Sequence, residues 1–258
     1  MILRPGENCI GILEGVPSEK IPAIIDFCRN RQYNVHKKGG WNLLERMDAF
    51  FESRLEGYDV HMLTDIESAG EFYPATAHQL PGNPGCSILD LGCGTGLELE
   101  FYFQGKPSAE ITGIDLSAGM LAALKEKFPG KDITLVQGSY FDVPFGVEKY
   151  DAAVSVESLH HFTGEEKLPL YAKLRAALKP GGFFVLTDYF ALSDQEERMH
   201  RRNLLELKLA QGICDDEFYH YDTPLTVAHE TEVLLKAGFS RVKTVSNWGA
   251  TYLLKAFK

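Results

Sequence analysis

The sequence predicts an α/β fold, a three-layer sandwich in which helices cover both faces of a mostly parallel sheet. After residue 86, short β-rich runs alternate with runs of helical period, which is typical of this architecture. A glycine-rich turn, LDLGCGTG at residues 89–96, follows the first of these runs. The last two strand-like runs are joined at Gly249, and so short a connection permits only an antiparallel pair.

The composition fits one large α/β domain with additions. The chain has 258 residues, 45% of them apolar, and a net charge of −10. Nucleic acid is not expected as a partner, because phosphate contacts need clustered cations and no Lys/Arg run is present. The five cysteines are scattered without a C-x-x-C pair, so we expect neither a disulfide framework nor a metal site.

The N-terminal part predicts a separate helical unit. Residues 1–85 look helical and irregular, and the breaker PGNPG at 81–85 separates them from a main domain over 86–258. Ser18 is predicted to cap one helix, and Asn42 a second helix that runs through Leu55. No apolar run is long enough for a membrane span, and the N-terminus lacks the apolar core of a signal peptide, so we expect a soluble cytoplasmic protein without a membrane partner.

Two further helices can be placed from local signals. Thr163 and Glu166 form a capping box, but Pro169 lies too deep for a regular helix from Thr163, so we expect a turn first and the helix near Pro169. Residues 194–222 read as a helical insertion that begins with an exposed charged helix. This insertion, or residues 1–60, is expected to act as a mobile lid.

The glycine-rich turn lies between a strand and a helix, an arrangement that binds nucleotides. The dinucleotide-binding version has the spacing G-x-G-x-x-G and seats a pyrophosphate. Here the spacing is G-x-G-x-G from Gly92 to Gly96, with Asp90 two residues before, and this carboxylate fits a cationic ligand better. Asp115 ends the next strand, where an acidic side chain accepts hydrogen bonds from both ribose hydroxyls. Its alternative role, capping a helix, is already available to Ser117.

Five segments in order carry a resemblance to a known family: LDLGCGTG, IDLSAGML, VQGSYFDVPF, YDAAVSVESLHHF and LKPGGFFVLTDY. They resemble the successive motifs of class I S-adenosylmethionine-dependent methyltransferases, in the small-molecule branch that includes the ubiquinone/menaquinone-biosynthesis type. The resemblance covers roughly residues 86–191 and the closing hairpin. It implies a Rossmann-like fold, a seven-stranded sheet with an antiparallel last strand, and S-adenosylmethionine as the cofactor.

The resemblance also implies which residues contact the cofactor. The glycine loop passes the methionyl part with Asp90 near its ammonium group, and Asp115 binds the ribose. Leu116 and Met120 flank the adenine, although plain core packing is the alternative for Met120. Ser139 stands where the family often has Asp, so the adenine contact is assigned to Ser139 and Tyr140, with Asp142 as an alternative. The other implied contacts are Gly92, Cys93, Gly94, Gly96, Leu116, Val156 and Glu157.

The acceptor side is expected to consist of residues near the carboxyl ends of the strands. One of the pair His160 and His161 often lies near the transferred methyl group in this family; a His bonded to backbone at a helix start is the alternative. Tyr189 is a further catalytic candidate, with sheet-edge packing as its alternative. Tyr58 resembles a Tyr that covers the cofactor, or is a buried Tyr with a paired hydroxyl. His61, His220 and Tyr221 are further acceptor candidates, although for His220 the prediction of a solvated loop residue is favoured.

The leading hypothesis is a methyltransferase that transfers a methyl group to a small-molecule acceptor by in-line displacement. Such a reaction mainly requires that nucleophile and methyl group be held collinear and dry. A non-catalytic cofactor-binding or regulatory protein is the first alternative. A NAD-dependent oxidoreductase is the second, disfavoured by the glycine spacing and the antiparallel terminal pair. The acceptor atom and a homodimer remain open.

Overall fold

The computed structural model describes residues 43–105, 108–215 and 217–258. The strands are β1 (Cys86–Leu91), β2 (Ala109–Asp115), β3 (Ile133–Gln137), β4 (Tyr150–Val156), β5 (Leu178–Tyr189), β6 (Arg241–Trp248) and β7 (Thr251–Phe257). The helices are α1 (Met47–Ser53), α2 (Tyr58–Asp65), α3 (Ala69–Gln79), α4 (Leu97–Gly105), α5 (Ala118–Lys127), α6 (Gly164–Ala177), α7 (Asp194–Gln211) and α8 (Val227–Lys236), with a short 3₁₀ helix at Leu159–His161.

The strands form one seven-stranded sheet in the order β3-β2-β1-β4-β5-β7-β6. All pairs from β3 to β5 are parallel, and β7 runs antiparallel between β5 and β6. The predicted α/β fold, with its antiparallel last strand, is therefore confirmed. The order reverses direction between β1 and β4, and in such sheets ligands bind at the carboxyl ends of the strands beside this switch point.

Helices cover both faces of the sheet. Strand β1 is buried along its whole length, as expected for a parallel strand with helices on each side. One apolar cluster joins the strands to α3, α4 and α5 through Phe72, Leu99 and Leu124. The other joins them to α6 and α8 through Tyr171 and Leu234. In the described part of the chain, no helix has both the length and the apolar character needed to cross a membrane.

The N-terminal helix differs from the prediction. Helix α1 begins at Met47 rather than after Asn42, which lies outside the described residues, as does the predicted cap Ser18. The backbone at this point is hydrogen-bonded to a segment distant in sequence: Met47 N donates to Phe218 O at 2.9 Å, and His220 N donates to Glu45 O at 2.9 Å. This non-local pairing holds the segment before Met47 extended, and no local sequence signal reports it.

Helix α6 also differs, because the prediction of a start near Pro169 is wrong. The helix begins at Gly164, and Pro169 lies inside it. The reciprocal capping box explains this: Thr163 Oγ1 accepts from Glu166 N, while Thr163 N donates to Glu166 Oε2 at 2.7 Å. The single hydrogen bond that Pro169 removes is outweighed by this cap and by the burial of Tyr171 one turn onward.

Candidate active site

The glycine loop leaves the carboxyl end of β1 at the switch point. Gly92, Gly94 and Gly96 all have positive φ, at 71°, 47° and 74°. A Cβ atom at Gly92 would lie 2.2 Å from Ser158 Oγ, whereas a Cβ at Gly94 would have no atom of the described residues within 4 Å. The loop therefore needs glycine at Gly92 to pass Ser158, and it leaves open space above Gly94.

Replacing Gly92 with alanine tests the first of these points. We expect Gly92→Ala and Gly85→Ala both to lose about 1–2 kcal/mol of unfolding free energy, because both glycines have φ near +70°. Gly92→Ala should lose more, since its Cβ also meets Ser158, while the Cβ at Gly85 meets no atom within 4 Å in the part of the chain that the structure describes. Urea unfolding of both variants measures the difference, and equal losses would contradict the close approach.

Asp115 ends β2 and lies at the edge of the glycine loop. Its Oδ2 accepts from Gly94 N at 2.9 Å and its Oδ1 accepts from Ser117 N at 2.9 Å. Burial raises the pKa of Asp115, and these backbone bonds oppose the rise. Ser117 caps α5 by accepting from Met120 N at 3.1 Å. Asp115 is thus held rigidly, and each of its oxygens keeps a lone pair for a further donor.

A small cleft of about 50 Å³ lies against this loop. Met47 and Phe51 of α1 close it from above, and Ser158 lines it beside the glycine loop. Nine of the residues predicted to bind a cofactor line it together: Tyr58, Gly92, Gly94, Asp115, Leu116, Met120, Tyr140, Val156 and Glu157.

Four residues predicted to bind the cofactor lie outside the lining of the small cleft. Cys93 is buried against β2, where a Cβ at Gly113 would lie 2.8 Å from its Sγ. The Ser139 hydroxyl accepts from Phe141 N at 3.1 Å and stabilises a turn. Gly96 packs on the α5 side, where an added Cβ would lie 3.0 Å from Phe128. The fourth residue, Asp90, is buried beneath the loop.

Asp90 faces Glu98 in the interior. Among the described residues, Asp90 Oδ2 and Glu98 Oε1 have no hydrogen-bond donor. Burial raises the pKa of both carboxyl groups, and in Asp90 the neighbouring Glu98 adds to the effect. Burial thus disfavours a charge on either carboxyl group, and each group leaves one buried oxygen without a donor under the glycine loop. This donor set suits a cationic ligand and gives a pyrophosphate no counter-charge.

The carboxylates of Glu52 and Asp59 hold helices α1 and α2 over the small cleft. Glu52 Oε2 accepts from Ser117 Oγ at 2.6 Å and from Gly119 N at 3.1 Å, at the start of α5. Asp59 accepts from Thr95 Oγ1 at 2.5 Å, in the glycine loop, and from Lys127 Nζ at 2.6 Å. These contacts place residues 47–65 directly above the residues predicted to bind the cofactor.

A large cavity of about 840 Å³ adjoins the small cleft. Its lining combines α1 and α2 with the end of β4, Tyr189, the segment around His220 and the turn between β6 and β7. Phe51, Tyr58 and Glu157 line both spaces. The two spaces therefore share part of their wall.

His160 is the most strongly positioned polar residue of the large cavity. Its Nδ1 lies 2.5 Å from Asp188 Oδ1, and Asp188 Oδ2 accepts from Leu159 N at 2.8 Å. Its Nε2 lies 3.5 Å from Asp222 Oδ1. Burial opposes the charged imidazolium, but the charge and hydrogen bond of Asp188, with smaller contributions from Asp222 and Glu157, outweigh it and raise the pKa of His160 to about 9.

The neighbours of His160 titrate in opposite directions. His161 Nδ1 lies 3.2 Å from Asp222 Oδ1, and burial together with the charge of His160 lowers the pKa of His161. Burial and repulsion from Asp188 raise the pKa of Glu157 to about 8. The pKa of Asp222 is lowered, because contacts with His161 and His160 outweigh its partial burial. The cluster thus holds neutral and charged histidines side by side.

The same side chains could also hold a metal ion. One group is His160, His161 and Asp222, and another is Glu157, His160 and Asp188. Within each group the potential ligand atoms lie within 4.8 Å of one another. The cluster is therefore chemically able to bind either a proton or a metal cation. That the protein uses no metal stays a prediction.

The remaining acceptor candidates occupy different surroundings. The Tyr189 hydroxyl donates to Glu196 Oε1 at 3.3 Å, and its ring lies 6.1 Å from that of His160. His61 lines the large cavity but is exposed and paired with Asp65 at 2.8 Å. The prediction of a solvated His220 is wrong: its ring stacks on Phe50 with centroids 3.4 Å apart, and burial lowers its pKa to about 4.

Sequence reasoning missed several residues of the large cavity. Asp188 could have been found, because it lies at the carboxyl end of an apolar strand, the same signal that identified Asp115. Asp222 and Trp248 could not have been found from the sequence. Asp222 lies in the loop after α7 and Trp248 lies at the β6–β7 turn, and both segments reach the site only through tertiary packing. Phe50 and Phe51 were predicted to lie on the apolar face of a helix. That pattern is the same for a residue of the core and for a residue that lines a cavity.

Comparisons with known proteins agree with this geometry. Residues 88–182 match the family described as "Methyltransferase domain". The chain is 30% identical over 196 residues to the biotin biosynthesis bifunctional protein BioHC of Teredinibacter turnerae, covering 72% of this chain and 31% of that protein. It is 28% identical over 170 residues to 2-phytyl-1,4-naphtoquinone methyltransferase of Nostoc sp., covering 61% of this chain and 73% of that protein.

A solved structure shows the same fold. The S-adenosylmethionine-dependent methyltransferase from Mesorhizobium loti aligns with a TM-score of 0.51 at 23% identity, covering 72% of this chain and 96% of that chain. The chain spans less than two thirds of the length of several curated relatives, including 31% of BioHC, so their whole activities do not transfer directly. The family match over residues 88–182, together with the sheet order and the glycine loop, identifies a class I S-adenosylmethionine-dependent methyltransferase domain in this chain.

Proposed function

We propose that the chain transfers a methyl group from S-adenosylmethionine to a small-molecule acceptor held in the large cavity. The observation that carries the proposal is the junction at Phe51, Tyr58 and Glu157, which line both the small cleft and the large cavity. A donor in the cleft and an acceptor in the cavity would lie next to each other at this junction. A non-catalytic cofactor-binding protein would not need an acceptor cavity at that position.

The residues of the small cleft fit the cofactor. The open space above Gly94 admits a ligand against the backbone, and Asp115 has spare acceptor capacity for the ribose hydroxyls. Asp90 offers a buried oxygen without a donor beneath the loop, where a cationic group of the ligand would stabilise its charged form. When bound, the cofactor supplies a methyl group on a sulfonium, which is already activated for displacement. The protein mainly has to align the acceptor and exclude water.

His160 is assigned the proton-accepting role, with Asp188 as its positioning residue. Asp188 is hydrogen-bonded to Nδ1 of His160, so Nε2 is the nitrogen on the side of the large cavity, near Asp222. A general base is needed only when the acceptor atom carries a proton. His161 and Tyr189 lie beside this group and are assigned to acceptor positioning.

Helices α1 and α2 are proposed to act as a lid, part of the predicted N-terminal unit over residues 1–85. Binding pockets for drug-sized ligands run to about 300–1,000 Å³, so the small cleft of about 50 Å³ has to widen before a nucleoside enters. Hydrogen exchange should slow in residues 47–65 when S-adenosylmethionine is added, and should stay constant in α8. Equal exchange with and without cofactor would contradict the lid.

Labelled methyl transfer tests the proposed function. The purified protein is incubated with methyl-labelled S-adenosylmethionine and an extract of small metabolites, beside an Asp115→Ala variant as matched control. The proposal predicts label in a small molecule with the wild type and far less with the variant. Cofactor binding without transfer to any fraction would favour the non-catalytic alternative. The cytoplasmic location and a homodimer stay predictions.

A further inference from the structure

Lys173 lies on α6, outside the lining of both the small cleft and the large cavity. We infer that it is nevertheless a positioning residue for the cofactor, an inference that rests on the proposed function. Its ammonium holds the turn at residues 139–143 in the shape that binds the nucleoside end of the cofactor. Lys173 does not touch the cofactor, so its effect passes through this turn.

The Lys173 ammonium is bound by three backbone carbonyl groups of one short segment. Its Nζ donates to Tyr140 O and Phe141 O at 2.7 Å each, and to Val143 O at 3.0 Å. An ammonium has three N–H donors, so these bonds use its full capacity. Nζ also lies 4.1 Å from the centre of the buried Phe145 ring, which adds a cation–π contact.

The sequence of the turn explains why it needs a cation. Val143 N donates to Ser139 O at 2.9 Å, which closes a single α-turn. The next residue is Pro144, which has no N–H and cannot donate to Tyr140 O as a continuing helix would. Carbonyl groups at the end of such a turn carry partial negative charge and lack donors from the turn itself. The ammonium of Lys173 supplies those donors.

Tyr140 connects this turn to the small cleft. Its buried ring lines the cleft, and its hydroxyl lies 3.2 Å from Ser158 Oγ. Ser158 packs in turn against Gly92, where an added Cβ would lie 2.2 Å from Ser158 Oγ. A shift of the turn would therefore move both the predicted adenine contact at Tyr140 and the side chain that packs on the glycine loop.

The same turn supports the segment that covers the cleft. The ring of Phe141 packs on that of Phe218, with centroids 5.2 Å apart, and Phe218 O accepts from Met47 N at 2.9 Å. Met47 begins α1 and lines the small cleft. Two sides of the cleft, at Tyr140 and at Met47, thus depend on a turn whose carbonyl groups are held by one ammonium.

Binding measurements with two ligands test the inference. The dissociation constants of S-adenosylhomocysteine and of 5′-methylthioadenosine, which lacks the amino-acid part, are measured by calorimetry. Lys173→Met keeps most of the apolar side chain but removes its donors and its charge. It should weaken both ligands by the same factor, about tenfold, because the turn loses hydrogen bonds to a charged group. Lys173→Arg keeps the charge and several N–H donors and should regain most of the affinity.

Lys179→Met is the matched control. Lys179 is also half-buried and paired, with its Nζ 2.8 Å from Asp151 Oδ2, but this pair lies at the amino ends of β4 and β5, away from the cleft. The control should bind both ligands as the wild type does. Hydrogen exchange measured by NMR should be faster at the amide of Val143 in Lys173→Met and unchanged there in Lys179→Met.

The outcomes separate this inference from the proposed function. If the wild type binds neither ligand, the proposed function itself fails. If the wild type binds both and Lys173→Met binds them equally well, or Lys179→Met weakens them as much, only the positioning role is overturned. Loss of affinity for S-adenosylhomocysteine alone would also overturn it, because the defect would then lie at the amino-acid end. Lys173→Gln, which has amide donors but no charge, replaces Lys173→Met if that variant does not fold, with the same expected loss.

Discussion

Replacing His160 with glutamine should lower kcat for methyl transfer about 100- to 10,000-fold, the usual contribution of a positioned general base. Glutamine keeps a polar group near the position of the imidazole but cannot accept the proton. Asp188→Asn should also reduce kcat, by a smaller factor, because it removes the charge that orients and supports His160. Initial rates at saturating S-adenosylmethionine measure both effects, with Glu110→Gln as an exposed control outside the site.

The pH profile distinguishes this chemical role from a structural one. His160 is protonated below its pKa of about 9, and only the neutral imidazole accepts a proton, so kcat/KM should rise as the pH approaches 9. In Asp188→Asn the pKa of His160 falls, because Asp188 is the main contact that raises it, and the rising limb should move to lower pH. An unchanged limb would contradict the role of His160.

A chelator controls for the alternative chemistry of the same cluster. If His160 accepts the proton directly, treatment with EDTA should leave the rate unchanged. Loss of activity on chelation, restored by a divalent ion, would instead assign His160, His161 and Asp222 to a metal site. In that case Nε2 of His160 would not be free to accept the proton.

The largest expected loss of stability lies away from the site, at a buried ion pair between α6 and α8. Lys167 Nζ lies 2.6 Å from Glu230 Oε2, with side chains 2% and 0% exposed, and the Tyr171 hydroxyl donates to the other carboxylate oxygen. Lys167→Ala should cost about 3–5 kcal/mol of unfolding free energy, because it leaves Glu230 buried with its charge uncompensated. Chemical denaturation measures this loss.

Two controls define the origin of that loss. Lys236→Ala removes the exposed partner of Glu232 at 3.4 Å and should cost at most about 1 kcal/mol. The double variant Lys167→Met with Glu230→Leu should recover most of the stability, since it removes both charges and keeps the volume. If Lys167→Ala alone costs no more than Lys236→Ala, the buried pair does not stabilise the contact between α6 and α8.

The features predicted correctly from sequence are those encoded locally. The alternation of strand and helix periods predicted the sheet, and the position of Asp115 at a strand end placed it beside the glycine loop. Features that depend on distant pairing were not predictable. The late start of α1 depends on backbone hydrogen bonds to Phe218 and His220. The position of Glu52 over the small cleft depends on its hydrogen bond with Ser117 at the start of α5. Pro169 misled because its local cost was weighed above the capping box at Thr163 and Glu166, and because the burial of Tyr171, which adds to the compensation, is tertiary.

The same distinction applies to the site. The glycine loop is specified by its spacing, since only glycine allows the close approach at Gly92. His160 was identified from its motif, but its orientation and its raised pKa depend on Asp188 and on Asp222. These residues come from separate elements, and a single sequence gives no sign that they converge.

Calorimetric titration with S-adenosylmethionine, S-adenosylhomocysteine and NAD tests the central claim most directly. We expect the wild type to bind the first two and not NAD. Asp115→Ala should weaken both by about 1–3 kcal/mol, roughly 5- to 150-fold, through loss of the ribose acceptor. Asp132→Ala, an exposed carboxylate outside the cleft, should match the wild type. Binding of NAD alone, or identical affinity in wild type and Asp115→Ala, would contradict the assignment of the glycine loop and Asp115 to S-adenosylmethionine.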